Sequence, residues 1–332
     1  MKDLLRYILI SVISLLVSAS CDIHEFPVEE GEPTPFELSL EFNFNLPLLQ
    51  EITRDDTPDH EHRYTIQVFR SSLLKSMDRI PVANYVYMES ELESSDYKIR
   101  MDLTEDTYDF RVWVDYTDIN DKSDKYYNTE NFSEIILADR NNHSGSNDYR
   151  EVFIGNTTAT VYNPEYYTGI IADKIDNSAT IQMHRPQGKF QINSTDLKTF
   201  FSKHSGVSSL KGYTAVIRYT GYMPCSFNMF TDRPSDSWTG MSFTSEITEL
   251  NDEEAILGFD YIFVNGGTTT MNIALEVYDP KGKMVASTNP LCVSPDTEPC
   301  PGKCLIEVAI FNLLCSSMKI LAYFVIISGS TP

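Results

Sequence analysis

From Phe36 onward, apolar residues alternate with polar ones in short runs. Phe36, Leu38, Leu40, Phe42 and Phe44 stand at strict period two, separated by Glu37, Ser39, Glu41 and Asn43. That is the pattern of a strand with one face in a core and the other in water. Tyr64, Ile66 and Val68 repeat it, as do Tyr97, Ile99, Met101 and Leu103, and then Tyr108, Phe110, Val112 and Val114. Only Thr104-Glu105-Asp106 separates the last two runs, which predicts an antiparallel hairpin. Residues 117–148 are rich in Asp, Asn and Ser, with an apolar patch only at Ile135–Ala138, and predict a long decorated loop.

The pattern resets around residues 171–186. Strands are predicted through Thr180–Pro186, Lys189–Asn193, Tyr213–Tyr219, Ala255–Val264 and Thr269–Val277. Asn265-Gly266-Gly267 joins the last two as a second hairpin, and Asp279-Pro280-Lys281-Gly282 turns the chain into Lys283–Ser287. Asp196–His204 is the one short helix, with Asp196 as its cap and Leu197, Phe200 and Phe201 on one face. Many short strands and few helices predict an all-β chain of two tandem β-sandwich domains, residues 36–175 and 176–332.

The start of the chain has a different logic. Lys2 and Arg6 precede an apolar run from Tyr7 to Val17, then Ser18-Ala19-Ser20, then Cys21. A positive start, an apolar stretch too short to span a bilayer and a small-residue cleavage site describe an export signal over residues 1–20. A cysteine directly after such a site resembles the lipobox of bacterial lipoproteins, although Ser18 stands where that motif carries Leu or Val. The resemblance implies lipidation of Cys21. Residues 21–35 are acidic, contain three prolines and predict an extended acylated tether.

The charge balance narrows the partners. With 26 basic and 48 acidic side chains the net charge is -22, which excludes nucleic acid as a partner and disfavours adsorption to anionic lipid headgroups. The six cysteines are uneven: Cys21, then Cys225, then Cys292, Cys300, Cys304 and Cys315 crowded near the end. A disulfide framework would spread them across the domains.

Several groupings suggest chemistry. His60 and His62 share a strand face near Asp55, Asp56 and Asp59, but a third metal ligand at fixed spacing is missing. Asp118, Asn120, Asp121 and Asp124 offer clustered oxygens suited to calcium, without the glycine and distal glutamate of an EF-hand; a solvated acidic loop is the expectation. Cys300 and Cys304 lack zinc-site spacing. No metal and no cofactor are predicted. With no nucleophile elbow, phosphate loop or zinc-protease motif, an enzyme is not expected. The segment 222–243 is dense in aromatics. Phe227, Phe230 and Trp238, with Asn228, Asp232 and Asp236, are candidates for a glycan-binding platform. The alternative, and the favoured reading, is a loop folded over the second core with its rings inward.

Four stretches carry a wider resemblance: C-D-I-H-E-F-P at 21–27, T-Y-D-F-R-V-W-V-D-Y at 107–116, F-N-M-F-T-D-R-P-S-D-S-W-T-G at 227–240 and G-F-D-Y-I-F-V-N at 258–265. They resemble Bacteroidetes surface lipoproteins grouped with fimbrial anchor subunits of the FimB/Mfa2 type. The resemblance implies two transthyretin-like β-sandwich domains, lipid attachment to the outer membrane, exposure at the cell surface and a part in anchoring or ending a type V pilus. It implies no catalytic residues, and only Cys21 carries over as a functional position. The expected function is that of a non-enzymatic fimbrial anchor or accessory subunit in cell adhesion, contacting fimbrial subunits by strand addition; the alternative is a surface glycan-binding lipoprotein. After Pro290 the family pattern is lost, the tail from about 291 is atypical, and a reading-frame change near 290 is the expectation. That predicts a second sandwich one strand short, with an open edge.

Overall fold

The structure is a computed structural model. It describes residues 31–42, 59–72, 74, 79–92, 97–169, 174–264 and 271–288, and the backbone of 291–293 and 303–308. Cys21, Cys300, Cys315 and the apolar tail beyond residue 308 lie outside the described residues.

The chain is mostly strand. In order it forms β1 (Thr34–Phe42), β2 (His60–Arg70), β3 (Ala83–Met88), β4 (Lys98–Leu103), β5 (Asp106–Asp118), β6 (Tyr127–Asn128), β7 (Ile135–Leu137), β8 (Phe153–Val161), β9 (Ser178–Met183) and β10 (Gln187–Ser194). The helix α1 (Leu197–Lys203) follows. Then come β11 (Thr214–Tyr219), β12 (Tyr222–Pro224), β13 (Ser226–Asn228), β14 (Arg233–Pro234), β15 (Ser237–Thr239), β16 (Ser242–Glu246), β17 (Thr248–Glu249), β18 (Ala255–Phe263), β19 (Met271–Tyr278), β20 (Met284–Ser287), β21 (Leu291–Val293) and β22 (Lys303–Val308). No helix among the described residues is long and apolar enough to cross a membrane.

The first sandwich stacks a sheet of order β4-β1-β9 on one of order β3-β2-β5-β8. Period-two alternation points Phe36, Leu38 and Ile99 from one sheet at Ile66, Phe110 and Val112 from the other, all buried in one cluster. β4 and β5 are not a hairpin. β4 pairs with β1 in one sheet, whereas β5 pairs with β2 and β8 in the other. Alternation states which face of a strand is buried, not which neighbour it pairs with, so a short connection can turn a corner between sheets as readily as close a hairpin.

The second sandwich repeats the correction. Its sheets have orders β17-β18-β10-β22 and β16-β11-β19-β20, with β21 also on β19. β18 and β19, expected as a hairpin, stand in opposite sheets. The Asp279 turn is as predicted. Its Oδ1 accepts from the backbone N–H groups of Lys281 and Lys283, both at 2.9 Å, and Gly282 takes φ 77°, a conformation only glycine adopts easily. It leads into β20 against β19. Helix α1 buries Leu197 and Phe200. Asp196 sits at its N-terminus, but its carboxylate accepts from Ser194 Oγ (2.7 Å) and makes no N-cap bond.

The tail adds strands to the second sandwich. Residues 291–293 pair with β19, and 303–308 lie parallel to β10 at the edge of its sheet.

The predicted loop 117–148 is also structured. It supplies β6 and β7, and β7 pairs with β13, Ile135 opposite Phe227. Its side chains enter the second core: Tyr127, Phe132, Ile135 and Leu137 pack in one cluster with Phe190, Ile217, Phe263 and Leu275. β9 is drawn the other way, pairing in parallel with β1 of the first sandwich.

Candidate functional site

β5 shows how the two halves meet. Tyr108, Phe110, Val112 and Val114 enter the first core. The opposite face carries Asp109, Arg111, Trp113, Asp115 and Thr117, and it too is buried. A polar strand face can be buried only if partners satisfy it. The segments 121–137 and 226–230 provide those partners. Gln67 Nε2, on neighbouring β2, donates to Glu130 O (3.0 Å), Arg63 Nη1 to Lys122 O (3.0 Å) and Arg111 Nη1 to Met229 O.

Three buried ion clusters pin this seam. Arg63 grips Asp115 with two bonds of 2.9 and 2.7 Å and reaches Asp124 Oδ1 at 2.7 Å. Asp124 also accepts from Thr129 N and Oγ1. Burial pushes the Asp115 carboxyl up, opposed by the Arg63 guanidinium. Second, Arg111 Nε lies 2.6 Å from Asp109 Oδ1. Burial raises the Asp109 carboxyl and lowers the Arg111 guanidinium, since each loses water.

In the third cluster every member is buried. Asp260 on β18 receives Arg150 and the Tyr219 hydroxyl, with His143 Nε2 2.5 Å away and the Tyr261 N–H donating at 2.8 Å. Burial alone would raise the Asp260 carboxyl, but Arg150, His143 and Tyr219 outweigh it and hold it down at about 2. The Arg150 carbonyl accepts from Tyr127 Oη (2.6 Å), which in turn accepts from Gln187 Nε2 (2.7 Å). His143 and Arg150 come from the first half of the chain, Tyr219 and Asp260 from the second. No motif announces them. The readable signal is a lone carboxylate inside an apolar strand, Asp260 in F-D-Y-I-F and Asp115 in V-W-V-D-Y, which demands a buried cation.

The residues singled out for a glycan platform each take partners within the fold, and Phe230 and Asp232 share Arg111 as a neighbour. Phe227 is 1% exposed, packs on Phe263 and has no face open to a ligand. Phe230 lies beneath the Arg79 and Arg111 guanidiniums, each 4.2 Å from its ring centre. Trp238 is half-buried against the second core, with Arg140 5.7 Å from its ring centre. Asp232 is exposed, 3.5 Å from His184, and Asp236 accepts from Ser237 N (2.7 Å). The pairing Met223 opposite Trp238 turns that ring to the side of a fully buried methionine.

The other candidate groups take structural partners. His60 stacks on Tyr149 at 3.7 Å, with Lys125 Nζ 2.7 Å from its Nε2, the position a metal would need. His62 meets Glu89 Oε2 at 2.8 Å. Of the calcium candidates, Asp118 receives Lys125 and Asp121 Oδ1 accepts from Ser123 N (2.9 Å). Asp124 serves the Arg63 cluster. Among the described residues no three His, Cys, Asp or Glu side chains converge as metal ligands do. Cys225 is a buried free thiol, pushed up to about 12 by burial.

These features define an all-β double sandwich whose polar seam joins two halves. The chain belongs to a family of unknown function, DUF6562, whose model matches residues 33–294. A comparison with curated proteins gives no match. Among solved structures it is similar to the fimbrial anchor protein Mfa2 of Porphyromonas gingivalis, at 12% identity and TM-score 0.39, covering 77% of this chain and 82% of that one. It is similar to a fimbrial assembly protein of Parabacteroides distasonis at 10% identity and TM-score 0.39, over 83% and 90% of the two chains. A Bacteroides thetaiotaomicron protein described as a polysaccharide-binding candidate is similar at 10% identity and TM-score 0.44, over 77% and 80%. These similarities concern the course of the strands and carry no activity to this chain.

Proposed function

We propose that the protein is a non-enzymatic subunit on the outer-membrane surface, held by lipid at Cys21, that anchors or ends a fimbrial polymer. The observation that carries this reading is the placement of β1. It is the first strand after the tether, and it is the central strand of its sheet, bonded to β4 on one side and β9 on the other over six register pairs each. A pull on Cys21 runs along β1, so both ladders resist together in shear rather than opening one bond at a time. Force then passes through the shared core and the Arg150–Asp260 cluster to the second sandwich.

Fimbrial subunits add by strand pairing at a free edge. The outer edge of β3 is blocked: Lys122 Nζ donates to Val86 O (3.0 Å), Glu91 accepts from Met88 N (3.0 Å), and the two side chains pair at 2.7 Å. Subunit contact by strand addition therefore uses another sheet edge.

Gentle shear of cells carrying wild-type protein or Cys21→Ala tests the reading. Release of filaments carrying this chain from the Cys21→Ala cells supports it. Release of the protein alone, with no filament in either strain, overturns the fimbrial role.

A further inference from the structure

One end of the first sandwich gathers several loops. Asp106 at the start of β5 lies opposite Val161 at the end of β8, and Tyr108 lies opposite Arg70 at the end of β2. Ala83 at the start of β3 lies opposite Val68, and Thr34 at the start of β1 lies opposite Leu103. The loops at this end expose Ile80 (72%), Val82 (45%), Tyr162 (40%) and Tyr166 (60%). They flank a sheet of order β3-β2-β5-β8, whose outer strands stand about 15 Å apart. The opposite end, where Asp118 lies opposite His60, presents Ile119. β5, 13 residues long, spans the two ends over about 40 Å.

Local bonds fix the loop that carries the tyrosines. Tyr162 N donates to Asn177 Oδ1 (3.0 Å), and Asn177 Nδ2 donates back to the Tyr162 carbonyl (2.8 Å). Glu105 accepts from Asn163 N and the Tyr167 hydroxyl, both at 2.9 Å, and Asp106 lies 3.3 Å from Arg70 Nε. Both carboxylates of the turn between β4 and β5 are thereby engaged inside the fold. Exposed aliphatic groups beside tyrosine hydroxyls suit a boundary between hydrocarbon and water.

The chain enters β1 at this same end. A Cβ on Gly31 would lie 3.1 Å from the Tyr166 hydroxyl, so the chain arrives beside that ring. Gly31 is ten residues after Cys21, a reach of at most about 35 Å. So short a link gives this end a millimolar effective concentration at whatever surface holds Cys21. A contact too weak to bind a free protein is then populated.

We propose that this end of the first sandwich, through Ile80, Val82, Tyr162 and Tyr166, rests on the headgroup boundary of a phospholipid bilayer, with Ile119 turned away from it. The inference rests on the lipid anchor at Cys21. Lipid with neutral headgroups is the fit, because a chain of net charge -22 is repelled by anionic ones.

The test purifies the chain from cells and reconstitutes it in phosphatidylcholine vesicles, with a benzophenone amino acid in place of Tyr162, Tyr166 or Ile119. After irradiation, peptide mass mapping is expected to find phospholipid adducts at 162 and 166 and none at 119. In an Ile80→Ser, Val82→Ser background the adducts at 166 fall by about tenfold, through the loss of two apolar contacts. All five positions are exposed, so the variants keep the core intact. Adducts to a second copy of the chain in place of lipid, or equal lipid yields at 166 and 119, overturn the proposal, as does a yield at 166 unchanged in the double-serine background. The mass of the Cys21 peptide is read from the same digest. Any of those results with acyl chains on Cys21 overturns the docking alone, whereas an unacylated Cys21 overturns the lipid anchor and the docking with it.

Discussion

Arg150 and Asp260 stand 110 residues apart in the chain and form an ion pair that is 98–99% removed from water, Arg150 being 2% exposed and Asp260 1%. The pair joins the connection after β7 to a central strand of the second sandwich. Removing one partner leaves the other charged and buried. Asp260→Ala is expected to destabilise the protein by about 3–5 kcal/mol in denaturant titrations. Glu276→Ala, which breaks a largely exposed pair with Arg218, is expected to change stability by no more than about 1 kcal/mol. Equal effects would remove Asp260 from its place in the seam.

Acid should weaken the same site. The Asp260 carboxyl is depressed in the fold, from an ordinary 3.8 to about 2. A depressed carboxyl contributes stability above its unfolded value and loses it as pH falls through the folded one. This contribution is therefore whole above about pH 4 and fades towards pH 2. It amounts to about 2 kcal/mol by linkage. Unfolding free energies measured across that window should show the loss in wild type and a flatter profile in Asp260→Asn.

Trp113 lies in the first half of the chain but packs in the second core, beside Tyr127 and Phe263. Trp113→Ala is expected to cost about 3–5 kcal/mol. Hydrogen exchange should rise in β18 and β11, not in β1 alone. Exchange confined to the first sandwich would contradict a shared core.

Gly155 is where β8 crosses β9. A Cβ there would sit 2.4 Å from Ile181 Cγ2 and 2.9 Å from the Gln182 carbonyl. The backbone oxygen cannot swing aside, so Gly155→Ala should lower stability by about 1–3 kcal/mol. A thermal melt unchanged from wild type would show that the crossing is looser.

Lys122 and Glu91 guard the outer edge of β3. Both are half-exposed, so Lys122→Ala should alter stability by no more than about 1 kcal/mol. It should nonetheless raise self-association measured by light scattering, because an unguarded edge pairs with other chains. A variant as monodisperse as wild type would show that the edge is protected by other means.

Much was legible before the structure. Strict alternation located β1, β2, β4 and β5 within a few residues, and the Asp279 turn and the helix near Leu197 followed from local chemistry. Those are properties of consecutive residues, and consecutive residues state them. The acidic balance is likewise a matter of composition. Strand partnership was not legible: the period-two pattern of β4 suits β5 or β1 equally, and only packing of two sheets around one core selects β1. The same holds for residues 117–148, which read as a solvated loop until Arg63 takes Asp124 and the Lys122 carbonyl and Gln67 takes the Glu130 carbonyl from a distant strand. Burial of Asp115 and Asp260 depends on cations 52 and 110 residues away. A pairing at that separation leaves no local trace, because its energy arises only when folding removes both charges from water together.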